Sequence, residues 1–196
     1  FNRWYLEPLY RGQYPADMME AYAAFMPEIQ PSDMATIATP LDFLGVNYYQ
    51  RAVIESGGNP LIPFKNIHPE GEYTAMDWEV YPRGLYTLLK RVHADYNPAA
   101  IYITENGAAF EDVLTPDGKV HDDRRTAYFQ GHLESLQHAV NDGVPVKGYF
   151  AWSLMDNFEW GEGYTKRFGL YYVDYATQKR YLKDSGAYYA GVAGGE

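Results

Sequence analysis

The most constraining feature of this chain is an alternation of short apolar runs with helical stripes. Three runs, Leu41 to Tyr49, Ala100 to Thr104 and Val146 to Leu154, have the β-branched and aromatic composition of buried strands. Between the first two, Leu85, Leu88, Leu89, Val92 and Tyr96 recur at helical spacing, with Pro82 before them and Pro98 after. Between the last two runs lies the stripe Phe129, Leu133, Leu136 and Val140, capped by Asp122 or Asp123 and closed by Gly143. Such an alternation predicts parallel strands joined by right-handed helical crossovers.

The flanking segments fill in the pattern. Trp4, Pro8, Gly12 and Pro15 make residues 1–15 read as an irregular loop. From Ala16 the apolar set Met18, Tyr22, Phe25, Met26 and Ile29 predicts a helix that Pro27 and Pro31 end. Gln50 to Asp77, with Gly57, Gly58, Pro60, Pro63 and Pro69, reads as one long loop. Residues 168–180 are expected to make a short extended excursion turning near Ala176, before a last helix that starts near Tyr181. Three strands are too few to close a sheet, and a complete (β/α)8 barrel takes about 250 residues. At 196 residues, beginning at Phe1 rather than Met, the chain is expected to be the back part of a single barrel, residues 1–196, whose front lies elsewhere.

The middle run stops on Glu105-Asn106-Gly107. Asn-Gly tolerates positive φ and turns the chain sharply, so Glu105 stands at the carboxyl end of a buried parallel strand. That is where such folds put their chemistry, although a carboxylate there also serves as a simple loop cap. Asn47 and Tyr49 share one face of the first strand end, and Trp152 lies at the third. Beyond Trp152 runs Ser153-Leu154-Met155-Asp156-Asn157-Phe158-Glu159-Trp160-Gly161-Glu162-Gly163-Tyr164. Indoles stack on the apolar face of a pyranose and carboxylates accept from neighbouring hydroxyls, which makes this a candidate sugar subsite. The alternative is aromatic core with solvated acids.

Composition narrows the partners. Lys plus Arg number 16 against 26 Asp plus Glu, a formal charge of −10, which argues against nucleic acid and anionic membranes. Without cysteine there is no disulfide framework or thiolate chemistry. The 5 His show no metal-ligand spacing, and no nucleotide fingerprint is present, so no cofactor is expected. No apolar run approaches the length of a membrane span. The compartment is left open, with a soluble, cytoplasmic protein favoured over a secreted one. The 20 Tyr and 4 Trp suit ligands with both hydroxyls and apolar faces, or simply an aromatic core.

At these residues the sequence resembles the C-terminal part of glycoside hydrolase family 1, the β-glucosidase family. Ile103-Thr104-Glu105-Asn106-Gly107 resembles that family's nucleophile signature. Leu44-Gly45-Val46-Asn47-Tyr48-Tyr49 resembles its sixth barrel strand, and Trp152 through Tyr164 its eighth strand and glycone loop. The likeness runs from Phe1-Asn2-Arg3-Trp4 to Tyr188-Tyr189. It implies the C-terminal portion of a TIM barrel, about strands 6–8 with flanking helices. It also implies Glu105 as nucleophile, Tyr49 as its hydrogen-bond donor with Asn47 alongside, and Trp152 as glycone platform. Glu159 and Trp160 would bind outer hydroxyls, and Trp78 would line the aglycone side, next to Asp77 where the family usually has Gly. Members acting on 6-phospho sugars carry Ser where Glu159 stands, so an unphosphorylated β-glycoside is the implied substrate. The Trp152–Ser153 peptide is implied to be cis.

A retaining glycosidase needs a second carboxyl group about 5–5.5 Å from the nucleophile. In the family it lies in an Asn-Glu-Pro motif; Leu6-Glu7-Pro8 lacks the Asn and any preceding strand, and Glu7 is rejected for the role. The expected partner is therefore a complementary N-terminal half of the barrel. The alternatives are a self-associating partial barrel without activity, and a non-catalytic sugar binder using Trp152 and Glu159.

Overall fold

The computed structural model describes residues 2–59 and 62–195; Phe1 and Pro60 of the sequence patterns above lie outside them. The elements run α1 (Asn2–Arg11), α2 (Ala16–Ala21), α3 (Asp33–Ile37), β1 (Leu44–Asn47), β2 (Val53–Asn59), β3 (Ile62–Ile67), α4 (Pro82–Tyr96) and β4 (Ile101–Asn106). They continue as α5 (Asp123–Asn141), β5 (Val146–Ala151), β6 (Tyr171–Val173), β7 (Arg180–Leu182) and α6 (Asp184–Gly194).

β4 lies between β1 and β5 in a three-stranded sheet, parallel to both. Its Ile101 and Ile103 are fully buried against Leu85, Leu89 and Val92 of α4 and Ala139 of α5, with Tyr48 and Val144 completing the cluster. Branched side chains suit this face because they fill a pleated surface at little rotamer cost. α4 starts with Pro82 in its first turn and ends where Asn97 enters the left-handed region at φ 46°. A second cluster, Ala108, Phe110, Tyr128, Phe129 and Leu170, joins the loop after β4 to α5 and the start of β6. The opposite face of the sheet is bare, with Phe43 52% and Phe150 56% exposed, and Gly45, Asn47 and Thr104 also open.

Several expectations from the sequence need correction. Residues 2–11 are helical, not a loop: Arg3 Nε bonds Glu7 Oε1 at 2.8 Å one turn on, and Pro8 is accommodated inside α1. The helix expected from Ala16 stops at Ala21 and gives way to a 3-10 turn over Ala23–Phe25 with no buried residues. Without a core face to bury, local spacing alone does not extend a helix. The stretch after Tyr49 is not a plain loop but contains the antiparallel hairpin β2–β3, in which Gly57 and Gly58 take φ 152° and 87° as the register shifts. Asp122 flanks α5 without capping it, because its carboxylate is taken by Arg125 and Ser185. β5 stops at Ala151 rather than Leu154, and Tyr181 belongs to β7, so the last helix starts at Asp184.

A buried ion network fixes the loops at the strand ends. Arg125, with no exposed side-chain surface, bonds Asp112 at 2.9 and 3.0 Å, the Ala108 carbonyl at 2.9 Å and the Arg167 carbonyl at 2.8 Å. Lys183, equally buried, reaches Asp156 at 2.8 Å and also Asp112. Asp156 in turn accepts from Arg167 and from the Gly169 and Val173 amides. The loops after β4 and β5, the start of α5 and the β7–α6 junction are thereby locked together. Among the described residues no helix is long and apolar enough to cross a membrane.

Candidate active site

The carboxyl ends of the three parallel strands converge on one cleft. It encloses about 240 Å³ and is lined by Tyr49, Trp78, Glu105, Trp152, Glu159, Trp160 and Phe168. In the ladder Asn47 pairs with Glu105, and the Tyr48 amide donates to the Glu105 carbonyl at 2.9 Å. Tyr49, just past β1, is thus carried alongside Glu105, and its Oη donates to Glu105 Oε2 at 2.6 Å. Burial first, and then the bond to Glu105, push the Tyr49 phenol up, so it stays a neutral donor.

Asn106, fully buried, ties the strand ends behind Glu105. Its Nδ2 donates to the Tyr48 carbonyl at 2.6 Å and to Tyr128 Oη at 2.9 Å, while its Oδ1 accepts from Tyr149 Oη at 2.6 Å. Its carbonyl accepts from the Trp152 amide at 2.9 Å. Gly107 follows because the chain passes against Trp152: a Cβ there would fall 1.8 Å from the Trp152 carbonyl oxygen. The Trp152–Ser153 peptide is cis.

The aromatic walls come from separate segments. Trp78 packs on Tyr49 at 5.1 Å between ring centroids, and Phe168 stands edge-on to Tyr49 at 6.2 Å and 6.0 Å from Trp78. The turn carrying Trp78 is held by the Ala75 amide on the Ala109 carbonyl at 2.9 Å and by Lys166 Nζ on the Ala75 carbonyl at 2.7 Å. Next to it, the buried Glu79 takes Arg51 at 2.7 and 2.8 Å. Trp160 is 82% exposed at the rim, at φ 41°.

Glu159 is the second carboxylate of the cleft. Its Oε2 is buried with no hydrogen-bond partner among the described residues. Burial raises its pKa; the Trp152 indole bond opposes that, and the charge of Glu105 adds to it. An unpaired buried acceptor beside an indole is an arrangement that a polyhydroxylated ligand would satisfy.

The cleft brings together Glu105, Tyr49, Trp78, Trp152, Glu159 and Trp160. Asn47 is not among its lining residues: it sits on the bare sheet face and its Oδ1 accepts from Thr104 Oγ1 at 2.6 Å. Sequence reasoning missed Phe168 as a wall and read Asn106 only as a turn residue. Residue type alone carries no signal for either; both depend on what the fold buries there. Among the described residues no group of three or more His, Cys, Asp or Glu has the arrangement of a metal site.

A sequence model of glycosyl hydrolase family 1 matches residues 1–195. The chain is 48% identical, over 98% of its length, to a 1,4-beta-D-glucan glucohydrolase of Thermotoga neapolitana. It is 47% identical to beta-glucosidase A of Thermotoga maritima over the same share, and 41% identical to a beta-glucosidase of Agrobacterium over 99%. It spans only 43–44% of the length of these relatives. The structure of the family 1 β-glucosidase from Thermotoga maritima with isofagomine lactam superposes with a TM-score of 0.93 at 46% identity, covering 98% of this chain and 43% of that one. The α/β fold is therefore part of that barrel, with no closed sheet among the described residues.

Proposed function

The chain belongs to glycosyl hydrolase family 1, and on that premise we propose that its cleft is the nucleophile half of a retaining β-glycosidase site. The substrate is an unphosphorylated β-glucoside or β-galactoside. Glu105 attacks the anomeric carbon, the glycosidic bond breaks, and a covalent glycosyl-enzyme forms that water then hydrolyses. Tyr49 holds Oε2 of Glu105 and leaves the other oxygen for attack. Trp152 stacks under the glycone, Glu159 and Trp160 take its outer hydroxyls, Trp78 lines the aglycone side, and Asn47 stands beside the Tyr49–Glu105 pair at the end of β1. The observation that carries this reading is the 2.6 Å Tyr49–Glu105 bond inside a cleft walled by three tryptophans.

The acid/base belongs to the complementary half of the barrel. Glu7 is unsuited to it, being buried in α1 and paired with Arg3 at 2.8 Å. Residues 1–196 are one part of a single barrel, and the bare face with Phe43 and Phe150 and the free edges of β1 and β5 are where the rest docks. Those same exposed groups favour a second reading for the chain on its own, a self-associated partial barrel that does not cleave alkyl glucosides.

The experiment is turnover of an aryl β-glucoside by the assembled barrel and by its Glu105→Gln variant, with light scattering of the separate chain. Loss of turnover in a folded Gln variant supports the assignment, and wild-type rates refute it. A monomeric separate chain that turns over alkyl glucosides refutes the need for a second half.

A further inference from the structure

We propose that Tyr128, which does not line the cleft, is a positioning residue for the Tyr49–Glu105 pair; this rests on the role proposed for Glu105. Tyr128 lies on α5 and is 1% exposed. Its hydroxyl accepts from Asn106 Nδ2 at 2.9 Å and donates to the Tyr49 carbonyl over a longer 3.4 Å. One oxygen thus links the residue after Glu105 to the backbone of Tyr49. Together with the phenol bond between Tyr49 and Glu105, this closes a ring: Tyr49 side chain, Glu105, Asn106, Tyr128 and back to Tyr49.

The ring of Tyr128 has little freedom to drift. It stacks on His132 at 3.9 Å and 27° and meets Phe129 edge-on at 5.9 Å and 87°. His132 Nδ1–H donates to the Tyr128 carbonyl at 2.7 Å, so the plate beneath the phenol is itself pinned to the helix. Without the hydroxyl one Asn106 N–H loses its acceptor, since the Tyr48 carbonyl at 2.6 Å already takes the other. A helix that never touches substrate therefore sets the separation of the β1 and β4 ends at the point where the phenol meets the carboxylate. The titratable groups facing Glu105 from the packed elements are Tyr49 and Glu159, and Tyr128 reaches the carboxylate only through Tyr49 and Asn106.

The test uses the assembled barrel and follows the rate at which an activated 2-deoxy-2-fluoro glucoside labels Glu105. Tyr128→Phe removes one oxygen and is expected to slow labelling about tenfold, inside the ~10²-fold that a 1 Å misplacement costs. The inhibition constant for glucose is expected to stay within about twofold, because the platform is untouched. The double variant with Tyr49→Phe should be no slower than Tyr49→Phe alone, since both act through one bond. Leu136→Ala, which loosens the same helix about two turns away and touches neither the Tyr128 ring nor its hydroxyl, should label at the wild-type rate. If Tyr128→Phe does not fold, Tyr149→Phe removes another partner of Asn106 and predicts the same loss and the same non-additivity.

Wild-type labelling by folded Tyr128→Phe, additive losses with Tyr49→Phe, or an equal loss in Leu136→Ala each overturn the positioning role. Labelling away from Glu105, or Tyr49→Phe at the wild-type rate, overturns the catalytic reading beneath it.

Discussion

Tyr49 Oη and Glu105 Oε2 stand 2.6 Å apart, joining two neighbouring parallel strands at their carboxyl ends. A neutral phenol donating to a carboxylate is a charge-assisted bond, shorter and stronger than one between neutral groups. Hydrogen bonds to charged groups are worth about 1.5–3 kcal/mol, so Tyr49→Phe in the assembled barrel is expected to lower kcat/KM about 10- to 10²-fold. Steady-state kinetics on an aryl β-glucoside, with circular dichroism to confirm folding, checks this. An unchanged kcat/KM would remove Tyr49 from the mechanism.

Gly107→Ala tests the close passage behind the cleft. The new Cβ would lie 1.8 Å from the Trp152 carbonyl oxygen and 2.9 Å from its carbonyl carbon, and both neighbours are backbone that cannot swing aside. Overpacking of this kind costs about 1–3 kcal/mol, and more where the obstacle is rigid. A lower Tm together with weakened glucose binding is expected. A variant with wild-type stability would mean that the Trp152 segment shifts freely.

The buried ion network predicts a large loss from a small change. Lys183→Met leaves Asp112 and Asp156 short of a positive partner in a site where all three side chains are at most 1% exposed. Removing one member of a buried pair costs about 3–5 kcal/mol. Urea unfolding of the variant measures it. A cost under about 1 kcal/mol would place the network in the class of exposed pairs.

Two histidines should titrate in opposite directions. Asp184 holds His121 at 2.6 Å and raises its pKa above 6.5, first through the hydrogen bond and then through its charge. The folded state then binds the proton more tightly than the unfolded chain, so this contribution is full below about pH 6.5 and fades as pH rises through the raised value. Burial pushes His132 down to about 4. There the unfolded state binds the extra proton, and stability is lost as pH falls from about 6.5 toward 4. Imidazole proton shifts followed by NMR against pH check both, and Asp184→Asn should bring His121 back toward 6.5 without moving His132.

What could be read from the sequence was set by how local the signal is. Ile101 and Ile103 fill the core as their branched side chains require, and Pro82 and Asn97 bound α4 as the prolines on either side imply. The three parallel strands that lead to Tyr49, Glu105 and Trp152 were legible for the same reason, although the third ends at Ala151 and not at Leu154. Less was legible where distant residues decide. Helix α1 forms around Pro8 because Arg3 and Glu7 pair and Glu7 is buried, which spacing alone does not reveal. Asp122 was legible as a cap by type, yet Arg125 and Ser185, the latter 63 positions away, claim its carboxylate. Asn106 reads as a turn residue, while its side chain joins Tyr48, Tyr128 and Tyr149 across the molecule. The hairpin β2–β3 was hidden because Gly57 and Gly58 punctuate a strand instead of ending one.

The central claim is that Glu105 forms the covalent bond to sugar. The most direct measurement is peptide mapping by mass spectrometry of the assembled barrel after trapping with an activated 2-deoxy-2-fluoro glucoside. One added fluoroglucosyl group is expected, on the peptide spanning Ile103-Thr104-Glu105-Asn106-Gly107 and at Glu105. A sugar found on Glu159, or on a carboxylate outside this chain, would contradict it.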